Sequence, residues 1–349
     1  MTKEMRVALG QHASATHDYL TFAKQLGVKG VQFNMIGKGI DIIPSSDDLP
    51  GDKGYWEAAD LKRLKQRVND YELDLEAIEN VPSAFLRQAM LNGPRRDEQI
   101  ANYQTTLRNM GEAGIPILGL NWMPNLVWRT PRQTGRGGVK VTAFDMERAL
   151  AGEVVTGIVD VPEAEDREYS EEEMFNSYVS FMREVLPVAE AAGVKIALHP
   201  DDPPVPSLGG IGRVFYKPEN FKRALEAAPS PNHGLDFCMG CFSEMVYADR
   251  SNNDGVLDAL RYFGSRGKIF YVHFRDVQGC VPKFQECFPG EGNVDVVAAI
   301  QTLHEVGFSG FIIDDHVPEM LDDSDWLHRG HAYSTGYIMA LVDAVKKLA

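Results

Sequence analysis

Val194-Lys195-Ile196-Ala197-Leu198-His199-Pro200-Asp201-Asp202-Pro203-Pro204 reads as a buried strand that stops abruptly. Its opening run has the length and β-branched content of a strand covered on both faces. Proline has no N–H and a fixed φ, so the strand ends at His199 and the loop after it is stiff. A stiff loop that carries a histidine and two aspartates at a strand end suits a cation. His199 is therefore a candidate metal ligand, set against the plainer alternative of an ordinary turn.

On both sides of this stretch the chain repeats strand, loop, helix. Strands are expected at Met5–Gly10, Gly30–Asn34, Asp74–Glu79, Pro116–Asn121, Val194–His199, Gly234–Cys238, Ile269–Phe274 and Gly310–Asp315. Helices are expected at Thr16–Leu26, Tyr55–Tyr71, Arg95–Ala113, from Ser170 to about Ala192, and at Pro218–Ala227, Asp254–Phe263, Val294–Val306 and Gly330–Leu348. Leu61, Leu64 and Val68 fall at helical spacing, Ser170 with Glu173 forms a capping box, and Pro187 is expected to bend its helix. The rhythm breaks twice. A polar Gly- and Pro-bearing loop runs from Gly37 to about Gly54. From Met123 to about Tyr169 no strand–helix unit is visible, which reads as an inserted loop or small subdomain.

Alternation implies parallel pairing, and eight repeats without a domain break imply an α/β fold closed as a (β/α)₈ TIM barrel, one domain over 1–349 with 123–169 inserted after strand four. An open doubly wound sheet is the runner-up, but it is expected to carry a glycine fingerprint after an early strand, and no GxGxxG or Walker A sequence occurs.

The 349 residues carry a formal net charge of −15 with 44% hydrophobic and 24% charged residues, the composition of a globular protein. That charge argues against nucleic-acid and anionic-membrane partners, which need basic patches. No apolar run approaches the roughly 20 residues that span a bilayer, and the polar start has no targeting stretch, so a cytoplasmic setting is expected. Four cysteines (Cys238, Cys241, Cys280 and Cys287) are no disulfide framework in a chain this long. Cys238-Met239-Gly240-Cys241 has redox or zinc-knuckle spacing, but it is a single pair.

In a TIM barrel the chemistry lies at the C-terminal ends of the strands. Strand five ends in His199, strand six in Cys238, strand seven carries His273, and strand eight runs into Asp314-Asp315-His316. Four consecutive strand ends thus offer His, Cys, His and Asp, which are neighbouring ligand types for Mn²⁺, Fe²⁺, Co²⁺ or Zn²⁺ rather than for Mg²⁺ or Ca²⁺. Neighbours on a strand point to opposite faces, so only one of Asp314 and Asp315 is expected to enter the site.

His199-Pro200-Asp201-Asp202-Pro203-Pro204, Gly209-Gly210-Ile211-Gly212-Arg213, Asp236-Phe237-Cys238-Met239-Gly240, His273-Phe274-Arg275, Phe284-Gln285-Glu286, Gly292-Asn293-Val294-Asp295 and Asp315-His316 occur in the order seen in iron- or manganese-dependent mannonate dehydratases. The chain resembles that family, whose barrels are related to xylose isomerase. Trp128-Arg129-Thr130 also looks like the family's loop after strand four. The resemblance implies a lyase of hexuronate catabolism that dehydrates D-mannonate to 2-keto-3-deoxy-D-gluconate with Mn²⁺ or Fe²⁺. It implies metal ligands His199, Cys238, His273 and Asp315; catalytic groups His316, Asp201 and Arg275; and substrate contacts Trp128, Arg129, Asp202 and Arg213. A small anionic sugar acid is the expected partner, and a homo-oligomer the expected assembly. The alternative is a xylose-isomerase-like sugar or sugar-acid isomerase or epimerase on the same metal. Two departures stand out: Val317–Trp326 has no tyrosine where the family carries a Gly-Tyr element, and Asp314 replaces the proline before Asp-His.

Overall fold

The computed structural model describes residues 4–34, 53–159, 161, 164 and 167–348. Most of the loop expected at Gly37–Gly54 lies outside these residues. Nine strand segments form one sheet in the order Arg6–Val7, Phe311–Ile313, Ile269–His273, His233–Cys238, Lys195–Leu198, Ile117–Leu120, Asp74–Glu79, Gly30–Asn34 and Leu9–His12. Every pairing in it is parallel. The two segments at the ends of that order are halves of one strand broken at Ala8, whose N–H still donates to Ile312 O at 2.9 Å. The sheet therefore closes on itself as the eight-stranded barrel expected from the alternation.

The helices lie close to their expected bounds, and several carry their own start or stop signals. Glu171–Ala192 begins with a complete Ser170–Glu173 capping box and ends at Gly193, whose φ of 68° is the left-handed cap that glycine adopts without strain. Pro187 sits inside this helix. Asp295 caps Val296–Glu305 by accepting from the N–H groups of Val297 and Ala298.

Alternation along the strands sorts the residues. The main core packs Val31, Phe33, Leu75, Ile78, Leu118, Leu120, Ile196 and Leu198 against the helices. A second cluster joins Ala8, Ala77, Ala197, Tyr271, Phe311 and Ile313, where three alanines leave room for the stacked rings of Tyr271 and Phe311, 4.8 Å apart. Two residues further along the same faces stand Glu79, His199 and His273. The column that fills the barrel thus ends in polar groups at its C-terminal rim.

The stretch 123–169 is not a plain loop. It contains the strands Thr130–Thr134 and Lys140–Asp145 and the helix Met146–Leu150. These strands join Asp276–Cys280 and Lys283–Cys287, from the connection after the seventh barrel strand, in a four-stranded antiparallel sheet. Its own small core holds Trp128, Phe144, Val205, Leu208, Val277 and Phe284. Polar strands such as Thr-Pro-Arg-Gln-Thr, half exposed, carry too little apolar periodicity to be recognised from sequence.

Candidate metal centre

The strand ends converge as the barrel requires. Donor atoms of His199, Cys238 and His273 all lie within 4.8 Å of one another, and the three side chains are buried. Asp315 Oδ2 lies beside two of the three, 3.9 Å from Cys238 Sγ and 3.5 Å from His273 Nδ1. Asp315 lies two residues past the last strand residue, Ile313, with a φ of +60°, a left-handed turn that aspartate tolerates better than most residues. That turn separates the two aspartates. Asp315 faces the cluster, whereas Asp314 Oδ2 accepts from Thr335 Oγ1 and pairs with His331 Nδ1, both at 2.9 Å, on the last helix.

The local electrostatics favour the thiolate of Cys238. His199 Nδ1 lies 2.7 Å from the Pro200 carbonyl, so it carries the proton and leaves Nε2 for the cluster. Burial raises the Cys238 thiol, but the neighbouring Cys241, the Arg275 charge and both imidazoles outweigh burial and hold it well below its ordinary value. Burial disfavours a charged His199, yet Cys238 and Asp236 lift it to about 10. A thiolate, the form that binds metal, results beside an imidazolium, whose Nε2 proton a bound cation would displace.

Two further carboxylates enter the centre. Glu79 Oε2 and Asp236 Oδ2 lie 3.0 and 3.2 Å from His273 Nε2. Burial first, then the neighbouring Glu79 and Cys238 charges, raise Asp236 well above the carboxylate range despite the two histidines. Both oxygens of Asp236 and both ring nitrogens of His273 are buried without a well-aligned hydrogen bond. Leaving such groups unsatisfied costs about 1–3 kcal/mol each, so a cation among them fits the physics of the site. Sequence reasoning missed Glu79 and Asp236, although Glu79 ends strand three and Asp236 shares a strand face with Cys238.

Above the centre a buried ionic lattice locks the loops together. Arg129 grips Asp202 with two bonds of 2.6 and 2.7 Å and reaches Glu286 at 3.2 Å. Arg275 reaches Asp202 (2.9 Å), Glu244 (2.5 Å), Glu286 (3.2 Å) and Asp315 (3.0 Å). Gly240 leaves room for this guanidinium, since a Cβ there would stand 2.8 Å from Arg275 Cζ. His316 pairs through Nδ1 with Glu286 Oε1 at 2.9 Å, and its Nε2 stands 3.7 Å from Asp315 Oδ1. Burial works against its charge, while Asp315 and Glu286 raise its pKa to about 9. Glu244 is pushed up to about 8, chiefly by burial.

Three expected site residues have their polar atoms engaged by the scaffold. Asp201, expected to be catalytic, spends Oδ1 on Arg213 and Oδ2 on the N–H groups of Val214 and Phe215. Arg213, expected to touch substrate, is fully buried on Asp201 and donates its other amino group to the Leu126 carbonyl. Trp128 donates Nε1 to the Asn125 carbonyl within the core of the antiparallel sheet. Arg129 and Asp202, also expected at the substrate, are each other's partners. Beside Asp315 and His316 opens a cavity of about 300 Å³ whose wall also includes His12, Arg132, Lys140 and His331.

The sequence profile of the D-mannonate dehydratase (UxuA) family matches residues 17–349. Mannonate dehydratase 2 of Halalkalibacterium halodurans is 30% identical over 282 residues, 75% of this chain and 79% of that protein. The mannonate dehydratase of Thermotoga petrophila is 29% identical over 362 aligned positions, covering 95% of this chain and 96% of its own. The crystal structure of mannonate dehydratase from Streptococcus suis serotype 2 superposes with a TM-score of 0.83 at 25% identity, covering 99% of this chain and 95% of that one. A structure of L-ribulose 3-epimerase matches with a TM-score of 0.58 at 14% identity over 99% of this chain and 96% of its own, a likeness of fold alone. The order of strand-end ligands, the closed barrel that brings them together and a profile match over nearly the whole chain agree: this chain belongs to the D-mannonate dehydratase family.

Proposed function

We propose that the protein dehydrates D-mannonate to 2-keto-3-deoxy-D-gluconate with Mn²⁺ or Fe²⁺ held by His199, Cys238, His273 and Asp315. The observation that carries the reading is the buried convergence of two imidazoles, a thiol and a carboxylate, with His273 and Asp236 lacking a well-aligned hydrogen bond, in a chain of this family. Two nitrogens, one sulfur and one oxygen form a donor set that would suit a borderline divalent ion. Bound there, the ion supplies Lewis-acid polarisation of the aldonate's carboxylate and an adjacent hydroxyl.

The protein's own groups do the rest. His316, oriented by Glu286, stands at the cavity and transfers a proton. Arg275 and Arg129 hold Asp315, Asp202 and Glu286 in place, of which Asp315 lines the cavity. Arg132 and Lys140, on the strand pair after the fourth barrel strand, give the cavity a basic wall suited to an anionic, hydroxyl-rich ligand. The same reading keeps a single domain, a homo-oligomer and a cytoplasmic setting; no helix among the described residues is long and apolar enough to cross a membrane.

Epimerisation is the second reading, favoured by Glu79 and Asp236, which with His199 and His273 form an alternative carboxylate-bearing ligand group. One assay separates the two. Metal-stripped protein is given Mn²⁺ or Fe²⁺ and a panel of aldonates. Keto-deoxy product from mannonate is expected. Interconversion of sugars with no turnover of any aldonate refutes the dehydratase reading. Cys238→Ala and His273→Ala are expected to lose bound metal, and unchanged metal content in both removes the proposed centre.

A further inference from the structure

The cavity beside Asp315 and His316 holds further groups able to transfer a proton. An elimination that removes a C2 proton and a C3 hydroxyl needs one group to accept a proton and one to give it. Trp326 lines the cavity, but its indole N–H is a donor only and does not exchange protons near neutrality. Three histidines share the wall: His12, His316 and His331. His12 stacks on Tyr19 with ring centroids 4.4 Å apart and has no carboxylate partner among the described residues. His331 is built differently. Its Nδ1 is 2.9 Å from Asp314 Oδ2, which also accepts from Thr335 Oγ1 at 2.9 Å. This fixes the ring and its tautomer and leaves Nε2 without a partner among the described residues. The turn at Asp315 puts that carboxylate beside His273 and Cys238 and leaves Asp314 behind His331.

We infer that His331, oriented by Asp314, is the second proton-transfer group of the cavity, working with His316 on the sugar acid. The inference rests on the dehydratase reading above. One imidazole takes the C2 proton. The C2–H pair becomes the C2–C3 double bond as the C3–O bond breaks, and the departing hydroxyl takes a proton from the other imidazole and leaves as water. The enol then becomes the 2-keto product. Asp314 is a positioning residue, acting only through the ring it holds.

The test is steady-state dehydration of mannonate by the Mn²⁺-loaded protein, wild type against His331→Gln, His331→Ala and Asp314→Asn, with metal content and melting temperature measured on each. His331→Gln is expected to lose about 100-fold or more in kcat, with KM within about threefold and metal content unchanged. Added imidazole is expected to restore part of kcat to His331→Ala, which a purely structural role does not allow. Asp314→Asn is expected to lower kcat about tenfold or more at constant KM. Wild-type kcat in His331→Gln, or a His331→Ala variant that folds, binds metal and gains nothing from imidazole, overturns the inference alone. A wild type that dehydrates no aldonate overturns the dehydratase reading and this inference with it.

Discussion

Replacing Arg275 by methionine probes the lattice that holds the site. The guanidinium is buried and faces Asp202, Glu244, Glu286 and Asp315 at 2.5 to 3.2 Å. Methionine fills much of the same volume, so the lost charge, rather than a cavity, dominates. Glu244, with its pKa pushed up to about 8 by burial, holds its proton near neutrality and loses only a hydrogen bond. Asp202 keeps Arg129, Glu286 keeps Arg129 and His316, and Asp315 keeps His273. Removing one partner of a buried ion pair costs about 3–5 kcal/mol, and the surviving partners place this case at the low end, about 3 kcal/mol. At roughly 2 °C per kcal/mol for a chain of this size, the melting temperature falls by about 6 °C. Differential scanning calorimetry near pH 7.5 measures it, with far-UV circular dichroism to confirm the fold. Arg275→Lys is expected to recover only part, because an ammonium cannot fork between four carboxylates. A variant that melts within 1 °C of wild type, on the order of the scatter expected for a neutral surface change, refutes the reasoning.

Gly119 has no room for a side chain: a Cβ would stand 2.7 Å from Tyr271 Oη and 2.8 Å from Glu79 Cγ, so Gly119→Ala is expected to cost about 1–3 kcal/mol and to weaken metal retention, read by denaturant melts and metal analysis. His233 is buried and neutral, its pKa lowered by burial from 6.5 to about 4 despite its bond to the Ala228 carbonyl. Its contribution is therefore complete above pH 6.5 and is lost as the pH falls toward 4, by about 3 kcal/mol; melting temperatures across that window should fall more steeply for wild type than for His233→Gln. Asp201→Asn leaves Arg213 buried against a neutral partner and is expected to cost about 2–4 kcal/mol while kcat stays within threefold, so loss of turnover without loss of stability would return Asp201 to the chemistry.

The periodicities that define this fold are local, and the chain displays them openly. The eight barrel strands and their helices follow from apolar runs, capping signals and glycine stops, each set within a few residues of itself. His199, Cys238 and His273 are legible for the same reason, since a strand end is a local feature and a barrel brings all strand ends to one rim. Glu79 and Asp236 obeyed the same rule and were open to the same reading.

Long-range pairing decided the rest. The antiparallel sheet joins strands of low apolar content from two connections more than 100 residues apart, so its register exists only once the barrel has set them side by side. Asp201, Asp202, Arg129, Arg213 and Arg275 are the residue types that bind a sugar acid, and equally those that pair with one another; sequence cannot tell these uses apart, because the choice depends on which charge lies across the fold. Asp314 and Asp315 are adjacent and chemically alike, yet a backbone turn at φ +60° sends one to His273 and Cys238 and the other to His331. The sequence by itself determined the barrel and the kinds of side chain at its rim. Only the tertiary structure decided which carboxylate meets which cation, because Coulomb and hydrogen-bond partners are selected by distance in space and not by separation along the chain.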